Sequence, residues 1–543
     1  MLKCYTLISG IWIAVLILWS VTAFAQAPTI VSTSPAQNAL NVPVNSNISV
    51  TFDVDMNAST INESTFVVNA WSTGLHQGTI TYNSVAKTAT LDPADDFDEG
   101  EIVTVVLTTG IKSSVGTPME SSYVWMFTTM VEGGYAHFSE PVSYGTGTHP
   151  ACVFSADLDG DTDLDLAVAN PESHNVSVFK NNGDGTLQNA VYYGTGNGPL
   201  GVFCADLDAD TDLDLATANW HSDNVSILKN NGDGTFQSAV NYGAGDNPAF
   251  VFCADLDGDN DLDLAVANDY SYNVSILKNN GDGTFQSAVN YGAGVRPITV
   301  FCADLDGDND LDLAVANFES DNVSILKNNG DGTFQTAVNY GAGDGSASVF
   351  CADLDGDADL DLAVANIYSW NVSILKNNGD GTLQTAINYG VGNQPFPVFC
   401  ADLDGDTDLD LAVANRFSDN VSILKNNGDG TFQTAVNYGA GDGPHAVFCA
   451  DLDRDGDLDL AIGDYDANSV SILFNCLATG DCNEEGVINV SDVVYLINYL
   501  FIDGPAPVPL AVGDVNCDGV VNVSDVVYLI NHLFISGPAP CCW

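Results

Sequence analysis

Asp157-Leu-Asp-Gly-Asp-Thr-Asp-Leu-Asp165 decides how this chain folds, because it recurs: the same ladder of alternate aspartates starts again at Asp206, Asp255, Asp304, Asp353, Asp402 and Asp451, every step 49 residues. Two further elements keep that period. A series headed by Asn175-Val-Ser-Val-Phe179 ends at Ser469-Val-Ser-Ile-Leu473, and segments like Phe-Gln-x-Ala-Val-Asn-Tyr-Gly open at Leu187, Phe236, Phe285, Phe334, Leu383 and Phe432. Each unit therefore holds four strand-like pieces. In the third unit these are Val251–Asp255, Leu262–Asn268, Asn273–Asn279 and Thr284–Tyr291, with the hairpin signal Asn280-Gly-Asp-Gly283 between the last two.

Four strands in a unit of this length predict a β-propeller blade. The ends predict the closure. The last unit stops at Asn475 without its fourth strand, while Phe138-Ser-Glu-Pro-Val-Ser-Tyr-Gly145 lies one period before Leu187 and has the register of the missing piece. An N-terminal strand completing the last blade gives a seven-bladed ring over 134–475 with no open sheet edge.

The flanks read differently. Lys3, the apolar run Leu7–Trp19 and Ala23-Phe-Ala25 form a signal peptide over 1–25, so the mature protein is expected to be exported, secreted or at the cell surface, with no membrane span. Residues 27–130 alternate apolar and polar in short runs such as Ile48-Ser-Val-Thr-Phe52 and Tyr123-Val-Trp-Met-Phe127, the pattern of a β-sandwich. Residues 478–538 hold two copies of a loop followed by a short helix, offset by 33, with apolar residues at helical spacing (Val493, Leu496, Ile497, Leu500). The fold class is thus mainly β, an Ig-like sandwich and a propeller, with a small α-helical C-terminal unit.

The chain has 543 residues, 72 Asp+Glu and only 12 Lys+Arg, a formal net charge of −60. That balance argues against nucleic acid and anionic membrane surfaces as partners and suits a chain that binds many cations. Six cysteines at the repeat period (Cys204, Cys253, Cys302, Cys351, Cys400, Cys449) read as small buried strand residues. Cys476, Cys482, Cys517, Cys541 and Cys542 suit disulfides in an oxidising compartment, with the pairing left open.

Five aspartates in each of seven units make 35 of the 72 acids. So many carboxylates in nine residues need a counter-ion, and Ca²⁺, which takes six to eight oxygens from such a loop, suits them best; Zn²⁺ wants the His or Cys that these loops lack. Positions 1, 3, 5 and 9 are the expected side-chain ligands, about one ion per blade. They are Asp157, Asp159, Asp161 and Asp165; Asp206, Asp208, Asp210 and Asp214; Asp255, Asp257, Asp259 and Asp263; Asp304, Asp306, Asp308 and Asp312; Asp353, Asp355, Asp357 and Asp361; Asp402, Asp404, Asp406 and Asp410; Asp451, Asp453, Asp455 and Asp459. On these residues the zone resembles the VCBS/FG-GAP repeats of integrin-α-like propellers. It departs at loop position 6, where the family has Gly and this chain has Thr162, Thr211, Asn260, Asn309, Ala358 and Thr407, with Gly456 alone matching. The expectation is a changed turn or weaker affinity.

The opening Pro28-Thr-Ile-Val-Ser-Thr-Ser-Pro35 and Asn41-Val-Pro-Val-Asn45 resemble a bacterial Ig-like domain of the S-layer type, whose expected role is a spacer. In the C-terminal unit Asp514, Asn516, Asp518, Asn522 and Asp525, and before them Asp481, Asn483, Glu485, Asn489 and Asp492, follow the order of an EF-hand loop. Without an entering helix this is similar to a type I dockerin. That resemblance implies two Ca²⁺ ions, a cohesin-bearing scaffold protein as partner and recognition positions at Val490, Ser491, Val523 and Ser524.

Strand order places the Asp loops and the Asn-Gly-Asp-Gly turns on one rim and the variable connections on the other. The variable turns carry Trp220, Tyr270, Tyr272, Phe318, Tyr368, Trp370, Phe417 and Tyr465, rings suited to a glycan or glycoprotein ligand or to packing on the next blade. No nucleophile elbow, zinc-protease motif or phosphate loop is present, and the seven histidines are scattered with no repeating partner. The expected function is a non-catalytic, calcium-loaded protein of a polysaccharide-degrading, cellulosome-like assembly. An integrin-like adhesion protein and a propeller-type polysaccharide lyase or glycoside hydrolase are the alternatives.

Overall fold

The computed structural model describes residues 26–476 apart from Glu132, together with Cys482 and residues 488–502, 504–507, 510–516 and 520–535; the expected signal peptide lies outside them. The first domain is a sandwich of two sheets. One orders Ile30–Ser34, Ile48–Phe52, Thr88–Pro93 and Gly78–Asn83; the other orders Ala39–Val42, Tyr123–Thr129, Ile102–Leu107, Phe66–Ala70 and Gly74–Leu75. The alternation in Ile48–Phe52 buries Ile48, Val50 and Phe52 between the sheets beside Phe66, Trp125 and Phe127.

Seven four-stranded sheets follow, the first six each built from one repeat. In the first, Cys152–Ala156, Asp165–Asn170, Asn175–Phe179 and Val191–Gly194 pair antiparallel in sequence order. The last sheet takes three strands from its own repeat and its outer strand from Val142–Gly145, which pairs with Ser469–Leu473 in the register Val142↔Ile472 to Gly145↔Ser469. The second strand of every sheet is buried along its whole length, because it is covered on both faces by neighbouring sheets.

Two side-chain series tie each sheet to the next all round the ring, and a third links the first six. Phe154, Phe203, Phe252, Phe301, Phe350, Phe399 and Phe448 run round the centre with neighbouring ring centroids 4.7–5.0 Å apart, and Phe448 returns to Phe154 at 4.9 Å. Buried Asn230 donates through Nδ2 to the Leu158 carbonyl of the preceding repeat at 2.8 Å, and the series closes where Asn181 reaches Leu452 O at 2.8 Å. Lys180 Nζ pairs with Asp159 (2.7 Å) in its own Asp loop and donates to Asp233 O (2.6 Å) in the next repeat's Asn-Gly-Asp-Gly turn. Lys229, Lys278, Lys327 and Lys376 repeat that bridge. The six periodic cysteines are buried free thiols, as the sequence predicts, and Cys476 is disulfide-bonded.

The Ig-like domain is not the separate spacer expected of it. It sits on the rim of the Asp loops and joins their core through Val106, Val124 and Met126. Trp71 enters the central channel and packs on Phe203, Phe252, Phe301 and Phe350 at 5.5–6.3 Å. Around it, Asn38 Nδ2 donates to Ala358 O (2.8 Å), Asn41 Nδ2 to Thr407 O (3.0 Å), Val124 N to Asn309 O (3.3 Å), and Asn260 Nδ2 to Ser64 O (2.7 Å). All four repeat-side partners stand at loop position 6.

The C-terminal unit has two helices, α1 (Val490–Ile502) and α2 (Val523–Ile535), around a core of Cys482, Val493, Leu496, Val515, Val526 and Leu529.

Candidate functional site

Each Asp loop is wound around the carboxylate of its first aspartate. Asp157 Oδ1 accepts from Gly160 N (2.8 Å) and Oδ2 from Thr162 N (3.0 Å), while Asp161 Oδ1 accepts from Asp163 N (3.0 Å). The same bonds form in the third, fourth and fifth repeats. The turn needs a left-handed residue at position 6, and it has one everywhere: φ is +74° at Thr162, +79° at Thr211, +77° at Asn260, +69° at Asn309, +71° at Ala358, +83° at Thr407 and +89° at Gly456. The departure from glycine therefore does not change the turn. Non-glycine residues are held in a strained conformation instead, and hydrogen bonds to the Ig-like domain hold four of them there.

Among the described residues seven groups of at least three potential metal ligands have their ligand atoms within 4.8 Å of one another, five of them aspartate triads such as Asp157, Asp159 and Asp165, or Asp255, Asp257 and Asp259. Position 9 is the deepest. Asp165 and Asp263 bury their side chains and use Oδ1 to accept from Asn181 N and Asn279 N (2.8 Å each), leaving Oδ2 buried without a partner. At position 3, Oδ1 of Asp159, Asp208, Asp257, Asp306 and Asp355 is buried and unpartnered as well. Burial, reinforced by the neighbouring carboxylates, pushes the acids of Asp165, Asp263, Asp312 and Asp410 up to about 8 and those of Asp214 and Asp361 up to about 7. Without a cation, such a cluster holds protons. A hard dication reverses that, and orphaned carboxylate oxygens are the donors it needs. The residues fit Ca²⁺.

In the C-terminal unit, buried Asp525 closes its loop by accepting from Asn516 N (3.2 Å) and Asn522 N (2.8 Å), and Asp492 accepts from Asn489 N (2.8 Å). Asp514 is buried beside them. Asp481, Asn483, Glu485 and Asp518 lie outside the described residues. The helices expose matching apolar residues: Val490 and Val523, Val494 and Val527, Phe501 and Phe534, Ile502 and Ile535. Ser491 and Ser524 instead turn their hydroxyls to Asn489 and Asn522 Oδ1 at 2.8 Å.

On the rim away from the Ig-like domain, the eight predicted aromatics separate into groups. Trp220, Phe318 and Tyr465, one residue after the second strand, line the channel mouth. Trp220 meets Tyr270 edge-on at 6.0 Å and Phe318 meets Tyr368 at 5.2 Å. Tyr270, Tyr272, Tyr368, Trp370 and Phe417 are exposed. Tyr272 and Trp370 share a position, four residues beyond Asn219-type strand ends, that is left-handed in every repeat. In the five other repeats it is His174, Asp223, Asp321, Asp419 or Asn468, and each side chain accepts from a backbone N–H of the next connection at 2.8–3.1 Å. Two arginines stand among these rings, and of them sequence reasoning passed over Arg416. Arg296 is held bidentately by buried Asp269 (2.7 and 2.9 Å) and lies over Phe318 at 4.9 Å; Arg416 pairs with Asp466 (3.2 Å) and lies over Tyr465 at 4.2 Å. The periodic Lys bridges were equally visible in the sequence and unread.

Three segments are similar to known families. A bacterial Ig-like domain model matches residues 25–129, an FG-GAP-like repeat model matches six overlapping windows from 157–217 to 402–462, and a dockerin type I model matches 479–534. The repeats and the dockerin imply calcium binding, the dockerin implies a cohesin partner, and dockerin-bearing proteins are typically extracellular. Among the described residues no helix is long and apolar enough to cross a membrane. Comparison with curated proteins gives no match. Among solved structures, the chain is similar to BBS1N in complex with ARL6DN (14% identity, TM-score 0.47, 62% of this chain and 97% of that one) and to an Agrocybe aegerita lectin specific for non-reducing terminal N-acetylglucosamine (19%, 0.40, 77% and 98%). A third is an inactive virginiamycin B lyase from Staphylococcus aureus with quinupristin (11%, 0.43, 62% and 99%). These scores are too low to bear on function.

Proposed function

The chain belongs to the FG-GAP-like repeat family, and from that premise we propose that it is a secreted, non-catalytic recognition protein whose seven-bladed propeller binds a glycan or glycoprotein and whose dockerin ties it to a polysaccharide-degrading assembly. In this reading Ca²⁺ sits in each blade loop on the aspartates at positions 1, 3, 5 and 9, and twice in the dockerin. Val490 and Val523, with the helix faces around them, meet the cohesin.

The observation that carries the reading is the pair Tyr272 and Trp370. Five blades use that position for a side chain that caps the neighbouring connection. Blades three and five place an exposed ring there in a left-handed backbone (φ +55° and +52°). A residue that gives up a structural bond, keeps the strain and shows its ring to solvent is better explained by a ligand than by the fold. The Ig-like domain covers the opposite rim, so this one is the face left open. A polysaccharide and glycan array on the calcium-loaded chain tests the proposal. Binding that disappears in EDTA and falls at least tenfold in Trp370→Ala supports it; binding unchanged by both Tyr272→Ala and Trp370→Ala rejects it, and release of cleavage products would make the protein an enzyme.

A further inference from the structure

Below the open rim the channel is a blind cavity of about 310 Å³. Its floor is the Phe ring and Trp71, beyond which a second cavity of about 340 Å³ lies against the Ig-like domain. The repeats are nearly identical, and part of their variation lies on this wall. In the first strand of every repeat the position of Phe154 is Phe and the position of Val153 is Val, seven times each. The two positions nearer the mouth vary. One reads Ala151, Leu200, Ala249, Ile298, Ala347, Phe396 and His445; the other includes Phe250, Thr299 and Ser348. An invariant floor under a variable collar is what a selective pocket needs and what a purely structural channel does not.

The collar also defines what fits. Its walls are aliphatic and aromatic, so the occupant is apolar and profits from edge-to-face and offset-stacked rings. The charges are already spent: Arg296 is locked to Asp269, Arg416 pairs with Asp466, and His445, packed between Phe396 and Tyr465 at 4.5 and 5.2 Å, is held neutral by burial. Glu172 and Glu319 lie near Tyr465 and Arg296. The occupant is therefore uncharged. Three donors remain. Thr299 and Ser348 hydroxyls accept from Val349 N (3.1 Å) and Val398 N (3.4 Å), which leaves their own hydrogens to give, and Arg416 Nε is buried without a partner. A dry cavity of ~150 Å³ holds benzene, so this volume suits about two rings.

We propose that the channel is a binding site for an uncharged aromatic group of about two rings bearing oxygen acceptors, the chemistry of a phenolic compound or aglycone. The site lies beneath the rim and stands whether or not the rim binds glycans.

The test uses 4-methylumbelliferone, titrated at pH 6 into the full calcium-loaded chain and read by calorimetry. Saturable one-to-one binding is expected, weakened about tenfold or more by Ile298→Trp, which fills the cavity, and about threefold to tenfold by Ser348→Ala. Trp370→Ala, on the outer rim, leaves it unchanged. Leu200→Phe on another part of the wall gives the same loss as Ile298→Trp if either variant melts abnormally. No saturable binding, binding indifferent to both filling variants, or displacement by free glucose or cellobiose would each overturn the assignment.

Discussion

Replacing Trp71 by alanine is the sharpest perturbation of the docked Ig-like domain. The indole meets four phenylalanines at 5.5, 5.6, 5.8 and 6.3 Å. Aromatic pairs contribute ~0.5–1.5 kcal/mol each beyond area burial, and truncating a fully buried Trp or Phe costs ~3–5 kcal/mol. Trp71 is only half-buried, so the lower end applies, about 3 kcal/mol. The position-6 hydrogen bonds from Asn38, Asn41 and Val124 remain, and the loss should appear as undocking before unfolding. In a thermal scan the variant should show a separate early transition for the Ig-like domain, and limited proteolysis should cut the connection near residues 130–141 that resists in the parent chain. Trp71→Phe should recover about half the loss. A melt and a cleavage pattern identical to the parent's would refute the idea that this ring holds the domain in place.

Other consequences are equally open to measurement. Asn279 and Asn280 are neighbours in sequence, but Asn279 is buried and bridges Leu207 O and Leu262 O while Asn280 bonds only to exposed Thr284; urea unfolding should show Asn279→Ala costing ~3 kcal/mol and Asn280→Ala below ~1 kcal/mol. Burial lowers the His445 pKa to about 4, so its contribution is intact above the unfolded value near 6.5 and is lost as pH falls toward 4. His445→Gln should lose less stability than the parent between pH 6.5 and 4, and equal slopes would count against the assignment. In the dockerin, Val490→Asp or Val523→Asp alone should weaken cohesin binding by less than about tenfold in a pull-down titration, because the second helix repeats the same surface; the double variant should abolish it.

Much of this was legible in the sequence because repetition turns weak local signals into strong ones. The Asp ladder, the Asn-Gly-Asp-Gly turns and the displaced strand at Val142–Gly145 each point to a ring of four-stranded sheets. The family matches bear out the Ig-like, repeat and dockerin assignments. What escaped lies where the period gives no help or was not followed. Trp71 is one ring in a sandwich, and nothing in its neighbours says that it leaves its own domain for the channel. The Lys180-type bridges recur every 49 residues yet were not read, since an isolated lysine is usually a solvated surface group. The aromatics were read as one class. Only the backbone separates Tyr272 and Trp370, which replace a cap, from Trp220 and Phe318, which pack at the mouth. The position-6 residues look like a defect in a metal loop, and their hydrogen bonds to the Ig-like domain give those strained turns a structural role.

In the proposed function, calcium holds this acidic ring together. Buried carboxylates left to themselves keep protons; bound to calcium they are charge-balanced, and each occupied site stabilises the fold by ~2.7 kcal/mol at a hundredfold excess over its Kd. The decisive measurement is the melting temperature of the full chain, first in EDTA and then across a calcium titration. The melt should fall by more than about 10 °C in EDTA and climb steadily with the logarithm of calcium concentration. The same melting temperature in EDTA and in calcium would contradict it.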